Sequence, residues 1–226
     1  MTALVRLDLH VHSVESPDSR LPLDRIVDQL AYVGLQGFAL TDHNTVRGHA
    51  ALAELARVHP EYIFIPGVEV STADGHLLAY GVSEAPPVRR PLPETLAWVR
   101  DHRGVAVLAH PFRFAHGAGR RWAQTAPVAA LEVANGHNST IANARAELAA
   151  AQRGVTGTGG SDAHELRDLG RAFTRFPDDV STVEAALAAL RGGRVQPEGS
   201  SLGAFAQMRL GVRTGLLRAF RGFRSI

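Results

Sequence analysis

The chain has no cysteine among its 226 residues. This absence excludes disulfide bonds, thiolate metal sites and a cysteine nucleophile. It also suits the reducing interior of a cell, so we expect a cytoplasmic protein. Lysine is absent too, which makes all 24 basic residues arginine; we attribute this to genomic base composition rather than to chemistry.

Long apolar runs are also missing. No segment approaches the roughly 20 residues that span a bilayer, and the N-terminus lacks a signal-peptide pattern, so we expect no stable membrane insertion. The formal net charge is only +2, so any basic partner surface must be local. What is present, 45% hydrophobic and 20% charged residues, is typical of a globular domain with a proper core.

Short apolar segments alternate with amphipathic ones along the chain. The alternation predicts strands and helices in turn, and therefore a parallel sheet, closed or open. A strand that ends near residue 9 is followed by predicted strands at 38–40, 62–68, 77–82, 105–109, 129–133, 155–158 and 172–176. Helices are predicted at 23–33, 46–58, 93–102, 139–153 and 181–191, the last capped by Ser181.

Two histidines follow the first predicted strand. His10 and His12 are two positions apart, so their side chains point to the same face and can reach one metal ion. Taken alone, this pair is more simply an ordinary polar strand end.

Metal-capable residues recur at the later strands. The C-terminal ends of parallel strands converge on one mouth of a barrel, and such folds have their active sites at that mouth. The sequence therefore predicts a metal centre at this mouth. Asp18, in the turn after the first strand, could also belong to it, but spacing alone would make Asp18 a turn cap. The recurring residues are Asp42 and His43 after strand two, Glu69 after strand three, His76 at the start of strand four, His110 after strand five, and Asp162 and His164 after strand seven.

These motifs, in this order, resemble the PHP (polymerase and histidinol phosphatase) superfamily. The resemblance implies an α/β fold, a distorted (β/α)7 TIM-like barrel with a metal centre at the C-terminal ends of its strands. It runs from about residue 7 to residue 176. The motifs are His10-Val11-His12, Asp18, Thr41-Asp42-His43, Gly67-Val68-Glu69, His76, Ala109-His110-Pro111 and Ser161-Asp162-Ala163-His164.

The resemblance also implies two or three divalent metal ions. Mixed imidazole and carboxylate ligands suit manganese, zinc or iron without choosing among them. Relatives carry either histidine or aspartate at the position of Asp18, which leaves the third site and its metal open. By position, one ion would take His10, His12, Glu69 and Asp162; a second would share Glu69 and take His76 and His110; a third would take Asp18, His43 and His164.

The implied activity is hydrolysis of phosphomonoesters or phosphodiesters by a metal-bridging hydroxide. In this hypothesis Asp162 orients or deprotonates the hydroxide, and His43 or His164 assists the leaving oxygen. We expect a phosphorylated small molecule, a nucleotide or a short oligonucleotide as substrate. Arg20 and Arg113 are the candidates for holding phosphate oxygens, and Asn135 is a further candidate for substrate contact.

A loop rich in aromatic residues and arginine precedes the sixth predicted strand. Phe112, Phe114 and Trp122 could stack on a base, or they could pack the loop down. Other functions stay open: a histidinol-phosphate-type phosphatase, or a non-catalytic PHP module, which the complete ligand set disfavours. A metal-dependent amidohydrolase on a similar barrel usually has a lysine, and this chain has none.

The last segment differs in composition from the rest. We assign residues 1–198 to the barrel and residues 199–226 to a basic amphipathic tail, which has five arginines and no acidic residue. A helix packed on the barrel is the interpretation we favour. The alternative is a contact with nucleic acid.

Overall fold

The computed structural model describes residues 4–201. Nine strands and six α-helices follow one another, with short 3-10 helices at Leu23–Arg25 and Leu166–Asp168. The strands are β1 (Val5–Val11), β2 (Gly37–Leu40), β3 (Ile63–Thr72), β4 (Gly75–Tyr80), β5 (Val105–Leu108), β6 (Ala130–Asn135), β7 (Thr156–Gly160), β8 (Ala172–Phe176) and β9 (Gln196–Gly199). The helices are α1 (Ile26–Val33), α2 (His49–Val58), α3 (Leu92–Asp101), α4 (Gly119–Thr125), α5 (Thr140–Arg153) and α6 (Val183–Arg191).

The sheet curls into a nearly closed barrel. Its strand order is β7-β6-β5-β4-β3-β2-β1-β8-β9, so strands β1 to β7 follow chain order around the wall. The wall closes where Ala163, just after β7, bridges Val11 of β1. Two hydrogen bonds hold this seam, from His12 N to Ala163 O at 2.9 Å and from Ala163 N to His10 O at 3.2 Å. The predicted distorted barrel is confirmed.

The sheet is mixed: the predicted parallel arrangement was wrong at β8, which is antiparallel to β1 and β9, and at β4. That strand is antiparallel to both of its neighbours, β3 and β5. Only residues 73 and 74 separate β3 from β4, which is enough for a hairpin and far too few for a parallel crossover. The reversal brings the start of β4 to the same mouth as the ends of the parallel strands. His76 lies at that mouth for this reason.

Strand β7 has the sequence Thr-Gly-Thr-Gly-Gly. Glycine is needed there because neighbouring backbone lies against the strand. A Cβ atom on Gly159 would come within 2.3 Å of the Phe173 carbonyl oxygen, and one on Gly160 within 2.5 Å of the His10 Cβ. The Thr174 hydroxyl accepts from Gly159 N and donates to Gly159 O, both at 2.8 Å. The antiparallel pair β8–β9 therefore covers the seam between β7 and β1 at very close range.

The core has two parts, one inside the barrel and one under the helices. Inside, Leu7, Leu9, Leu78 and Tyr80 are all buried to within 1% of full burial. The Tyr80 hydroxyl donates to the Leu9 carbonyl at 2.8 Å and so ties β4 to β1 across the interior. Outside, the apolar faces of the helices cover the sheet, as the amphipathic patterns predict.

Helix caps follow the sequence closely, with one correction. Ser139 caps α5, and its hydroxyl accepts from Ala142 N at 3.1 Å. The cap of α6 is Thr182 and not the predicted Ser181; its hydroxyl accepts from Ala185 N at 3.1 Å. Both hydroxyls satisfy an N–H group of the first helical turn, which is what a cap must do.

The predicted tail lies mostly outside the described residues, which end at Ser201. Its first residues are held on the barrel: Gly199 ends β9, and the Ser201 hydroxyl is 2.7 Å from that of Thr140. The role of residues 202–226 stays a prediction. Among residues 4–201, no helix combines the length and the apolar character needed to cross a bilayer.

The tie between Tyr80 and Leu9 predicts a stability effect. Tyr80→Phe should lower the free energy of unfolding by about 1–2 kcal/mol, because it removes a buried hydrogen bond while keeping the ring. The urea midpoint should fall with an unchanged m-value. Tyr32→Phe is the control, since Tyr32 is 86% exposed, and it should change stability by less than about 0.5 kcal/mol. Equal losses in both variants would contradict the prediction.

Candidate metal centre

All nine predicted metal ligands lie together at the mouth of the barrel. Eight of them are buried, and only His164 is partly exposed, with 15% of its side chain accessible. They arrive from the ends of β1, β2, β3 and β5, from the start of β4, and from the loops after β1 and β7. The set is His10, His12, Asp18, His43, Glu69, His76, His110, Asp162 and His164.

Glu69 is the centre of the cluster. Its Oε2 atom lies 3.2 Å from each of three imidazole nitrogens, which are Nε2 of His10, Nε2 of His12 and Nδ1 of His43. Its Oε1 atom lies 2.7 Å from Nδ1 of His76 and 2.9 Å from Nε2 of His110. One carboxylate thus faces two different groups of histidines, one with each oxygen.

The oxygen Oε2 belongs to the tightest group of donors. His10, His12, Glu69 and Asp162 each offer an atom within 4.8 Å of the others, and Asp162 Oδ1 is 3.2 Å from His12 Nε2. Nevertheless Nε2 of His10, Nε2 of His12 and Nδ1 of His43 are buried without a hydrogen-bond partner among the described residues. A buried polar atom left in this way costs about 1–3 kcal/mol. Imidazole and carboxylate donors aimed at a shared point fit a divalent cation.

Two further groups lie on either side of Glu69. On one side are His76 and His110, and Nδ1 of His110 is also buried without a hydrogen bond among the described residues. On the other side, Asp18 lies 3.6 Å from His43 Nε2 through Oδ2 and 3.5 Å from His164 Nε2 through Oδ1. The structure therefore brings Asp18 into the cluster, although spacing alone would make it a turn cap.

Glu132 orients two of the histidines, and its role was missed from the sequence. Its Oε1 is 2.9 Å from His10 Nδ1, and its Oε2 accepts from His110 N at 2.9 Å and from Asn135 Nδ2 at 3.0 Å. With Nδ1 of His10 engaged, its Nε2 faces the cluster. An acidic residue inside the apolar run 130–134 was the signal that could have revealed Glu132, because buried acids need partners.

Asp42 also orients a clustered histidine, but it does so through a serine hydroxyl that lies between them. The sequence left it open whether Asp42 binds metal or orients its neighbour. Its two carboxylate oxygens accept from the hydroxyls of Ser13 and Ser16 at 2.7 Å, and Ser16 Oγ is 3.1 Å from His12 Nδ1. Asp42 thus holds the groups that fix the His12 ring, so the structure favours the orienting role.

The buried carboxylates set the charge of the histidines. Burial opposes protonation of His12, but the nearby carboxylates of Asp162 and Glu69 outweigh it and raise the pKa to about 9. Burial, together with the charge of Arg113, lowers the pKa of His110 to about 4. The carboxylates that favour a proton on His12 also attract a divalent cation, which competes with protons for the same nitrogen.

Arg113 reaches into the cluster from the loop after β5. Its Nη2 donates to Asp162 Oδ2 and, at 3.0 Å, to Asn135 Oδ1. Burial disfavours the charged form of Asp162 and of Arg113, but their mutual attraction outweighs it and holds the pKa of Asp162 well below its usual value. Asn135 is fully buried behind this pair. Arg20 is exposed, and its backbone N–H donates to the His164 carbonyl at 3.1 Å.

Two histidines outside the predicted set also reach the mouth. The His137 ring stacks on His164 at 5.4 Å between centroids, and its Nε2 is 3.4 Å from Asp168 Oδ2. The His116 ring stacks on His76 at 4.7 Å. The sequence indicated only that their loops could come this far.

Backbone strain is concentrated at the same place. Asp162 has φ of 59° and His110 has φ of 26°, a region that residues with a Cβ rarely adopt. Each such residue costs on the order of 1–3 kcal/mol and persists where the surroundings impose it. Its occurrence at two of the clustered side chains is typical of a functional site.

Known proteins are similar to parts of this sequence and share its fold. The family described as PHP-associated matches residues 140–195. An uncharacterized protein of Methanocaldococcus jannaschii is 27% identical over 118 residues, which are 48% of this chain and 68% of that protein. The phosphoribosyl 1,2-cyclic phosphate 1,2-diphosphodiesterase of Eggerthella lenta is 35% identical over 86 residues, 35% of this chain. The match spans only about a third, 32%, of that enzyme.

Solved structures share the architecture over most of the chain. A two-domain protein of Bacteroides vulgatus, which contains a predicted PHP-like metal-dependent phosphoesterase, superposes with a TM-score of 0.72 at 21% identity. That superposition covers 92% of this chain and 68% of the other. The lesion-specific endonuclease Q of Pyrococcus furiosus gives a TM-score of 0.66 at 19% identity, over 86% of this chain and 58% of that one. At such identities the likeness establishes the fold.

The contacts of Glu132 predict a loss of metal affinity when it is changed. Glu132→Gln should weaken binding of Mn²⁺ or Zn²⁺ by roughly 10- to 100-fold, because an amide NH₂ replaces one of the oxygens that accept from His10 and His110. Calorimetric titration at fixed pH measures the dissociation constant. Glu147→Gln, at an exposed position on α5, is the matched control. An unchanged constant in a folded Glu132→Gln variant would exclude the orienting role.

Proposed function

We propose that this chain is a member of the PHP superfamily and a metal-dependent phosphoesterase that hydrolyses phosphoester bonds of nucleotides or short oligonucleotides. The observation that carries the proposal is the position of Glu69. Its carboxylate stands between five imidazoles, and three buried nitrogens around it lack hydrogen bonds among residues 4–201. Clustered divalent ions bridged by a carboxylate are a recurring arrangement for phosphoester hydrolysis.

We propose that the clustered donors hold two or three metal ions, and that two neighbouring ions share a ligand. Divalent ions bound there supply Lewis-acid polarisation of the phosphoryl group and neutralise its charge. Glu69 would be shared by the first two ions, and the donor set suits manganese, zinc or iron. The first ion would be held by His10, His12, Glu69 and Asp162, the second by Glu69, His76 and His110, and the third by Asp18, His43 and His164.

Asp162 is proposed to orient the attacking water. Its Oδ2 is bound by Arg113, and the resulting low pKa keeps the carboxylate ionised. An ionised carboxylate accepts a hydrogen bond from water and directs its lone pair toward phosphorus. The low pKa makes Asp162 a poor base, so of the two roles suggested by the sequence the orienting one is favoured.

Arg113 is proposed to hold the phosphate. Only its Nη2 is hydrogen-bonded among residues 4–201, to Asp162 and Asn135, and 26% of its side chain is exposed. Its Nη1 and Nε groups therefore remain as donors for non-bridging oxygens, held in a fixed direction by the buried end. Asn135 would act through Arg113, while Arg20 could approach a substrate from the opposite side of the mouth.

His164 is proposed to assist the leaving oxygen. It is the most exposed of the nine side chains, which brings it nearest to an incoming substrate. Its Nδ1 donates to the Asp162 carbonyl at 2.7 Å, and this bond fixes the direction of the ring. His43, the other candidate, faces Asp18 from deeper in the cluster.

The choice of nucleotides or short oligonucleotides is supported by two relatives. One is named as a cyclic phosphate diphosphodiesterase and the other as a lesion-specific endonuclease. A screen of mononucleotides, nucleoside bisphosphates, short DNA and RNA, and histidinol phosphate, each with Mn²⁺, Zn²⁺ or Fe²⁺, tests the proposal. We expect turnover of the nucleotide substrates. Turnover of histidinol phosphate alone would indicate a small-molecule phosphatase, and metal binding without any turnover would indicate a non-catalytic module.

The shared position of Glu69 predicts unequal effects on metal content. Glu69→Ala should lose at least two ions and nearly all activity, because two proposed ions depend on it. His164→Ala should keep the first two ions and lower kcat by roughly 10- to 100-fold, because it removes a ligand of the proposed third ion. Elemental analysis and steady-state kinetics on both variants measure this difference. Full metal content in Glu69→Ala, or loss of every ion in His164→Ala, would refute the assignment.

A further inference from the structure

The three aromatic side chains between β5 and β6 have different surroundings: Phe112 and Phe114 lie in the loop before α4, and Trp122 lies on α4. Phe112 and Trp122 pack against the apolar layer between the sheet and the outer helices. Phe114 does not pack there: its relative exposure is 108%, so its ring stands free in solvent. Burial therefore accounts for two of the three aromatic residues that could stack on a base, and leaves Phe114 unexplained.

Single exposed hydrophobic side chains are common on protein surfaces, so the significance of Phe114 depends on where it lies. The position of Phe114 is fixed by its neighbours on both sides. The preceding residue, Arg113, reaches Asp162, and two positions later His116 stacks on His76 at 4.7 Å with 22° between the ring planes. Since the chain advances at most about 3.6 Å per residue, Phe114 must lie on the rim of the mouth.

The loop that presents Phe114 is firmly anchored. Arg113 N donates to the His110 carbonyl at 2.9 Å, and His76 N donates to the His116 carbonyl at 2.9 Å. Gly117 has no room for a side chain, because a Cβ atom there would lie 2.5 Å from the Arg113 carbonyl oxygen. A ring held out on a fixed loop loses little entropy when a ligand stacks on it.

We propose that Phe114, together with the exposed ring of His116, forms a stacking subsite for a nucleobase of the substrate. The proposal rests on the proposed function, since it requires a phosphate held between Arg113 and the metal centre. Arg113 and Phe114 are adjacent in the chain, so a phosphate on one and a base on the other match the two ends of a nucleotide. Stacking tolerates any base, because every base has a flat face.

Paired substrates test the subsite. Adenosine 5′-monophosphate and ribose 5-phosphate carry the same phosphate and sugar and differ by the base. Phe114→Ala should raise KM for the nucleotide about tenfold, leave its kcat within about twofold, and leave KM for ribose 5-phosphate unchanged. Phe114→Trp should retain the low KM for the nucleotide. Tyr32→Ala, an 86% exposed aromatic on α1, is the matched control and should change neither substrate.

Binding to the metal-loaded protein separates failure of the subsite from failure of the proposed activity. Calorimetry should give a dissociation constant about tenfold lower for adenosine monophosphate than for ribose 5-phosphate in the parent protein, and equal constants in Phe114→Ala. This comparison holds whether or not either compound is hydrolysed. Equal constants in the parent protein, or a KM change of the same size for both substrates in Phe114→Ala, would overturn the proposal.

Discussion

The buried carboxylate of Glu69 is the interaction on which the site depends. Burial favours its neutral form, but the charges of His76 and His10 outweigh burial and keep its pKa well below the usual value. A lone carboxylate at this depth would be very costly, and so would the histidines without it. These buried groups stabilise one another, so the barrel can bury them only together. Five strands, β1 to β5, and the loop after β7 contribute them.

The sequence predicted most members of this cluster because they follow or begin apolar strands, whereas Asp18, in a polar turn, was predicted only from the resemblance to the PHP superfamily. It could not predict the supporting contacts, which depend on distances across the barrel. Glu132 lies 122 positions from His10 and touches it only because β6 and β1 curve toward each other. The direction of β4 was likewise missed, because the predicted strands 62–68 and 77–82 ended short of the two-residue turn that joins β3 to β4 and shows them to be a hairpin.

Local chemistry was predicted more securely than surface function. Helix α5 was predicted with Ser139 as its first residue, and the predicted cap of α6 was displaced by one residue between two hydroxyl side chains, Ser181 and Thr182. Aromatic residues in the β5–α4 loop could not be assigned to core or solvent from their types alone. In the structure Trp122, carried by α4, packs against the apolar layer, whereas Phe114, in the loop before α4, is exposed; the sequence did not predict α4.

The seam between β7 and β1 has a consequence for how the protein is made. His10 and Ser161 are neighbours in space and 151 positions apart in the chain. The ribosome adds about 5–20 residues per second. The time between synthesis of β1 and synthesis of the strands on its other side is therefore on the order of 10–30 s. Two of the clustered histidines are therefore synthesised first and enclosed last. A metal ion that needs the complete cluster would therefore be bound late, after the loop that follows β7 has been made.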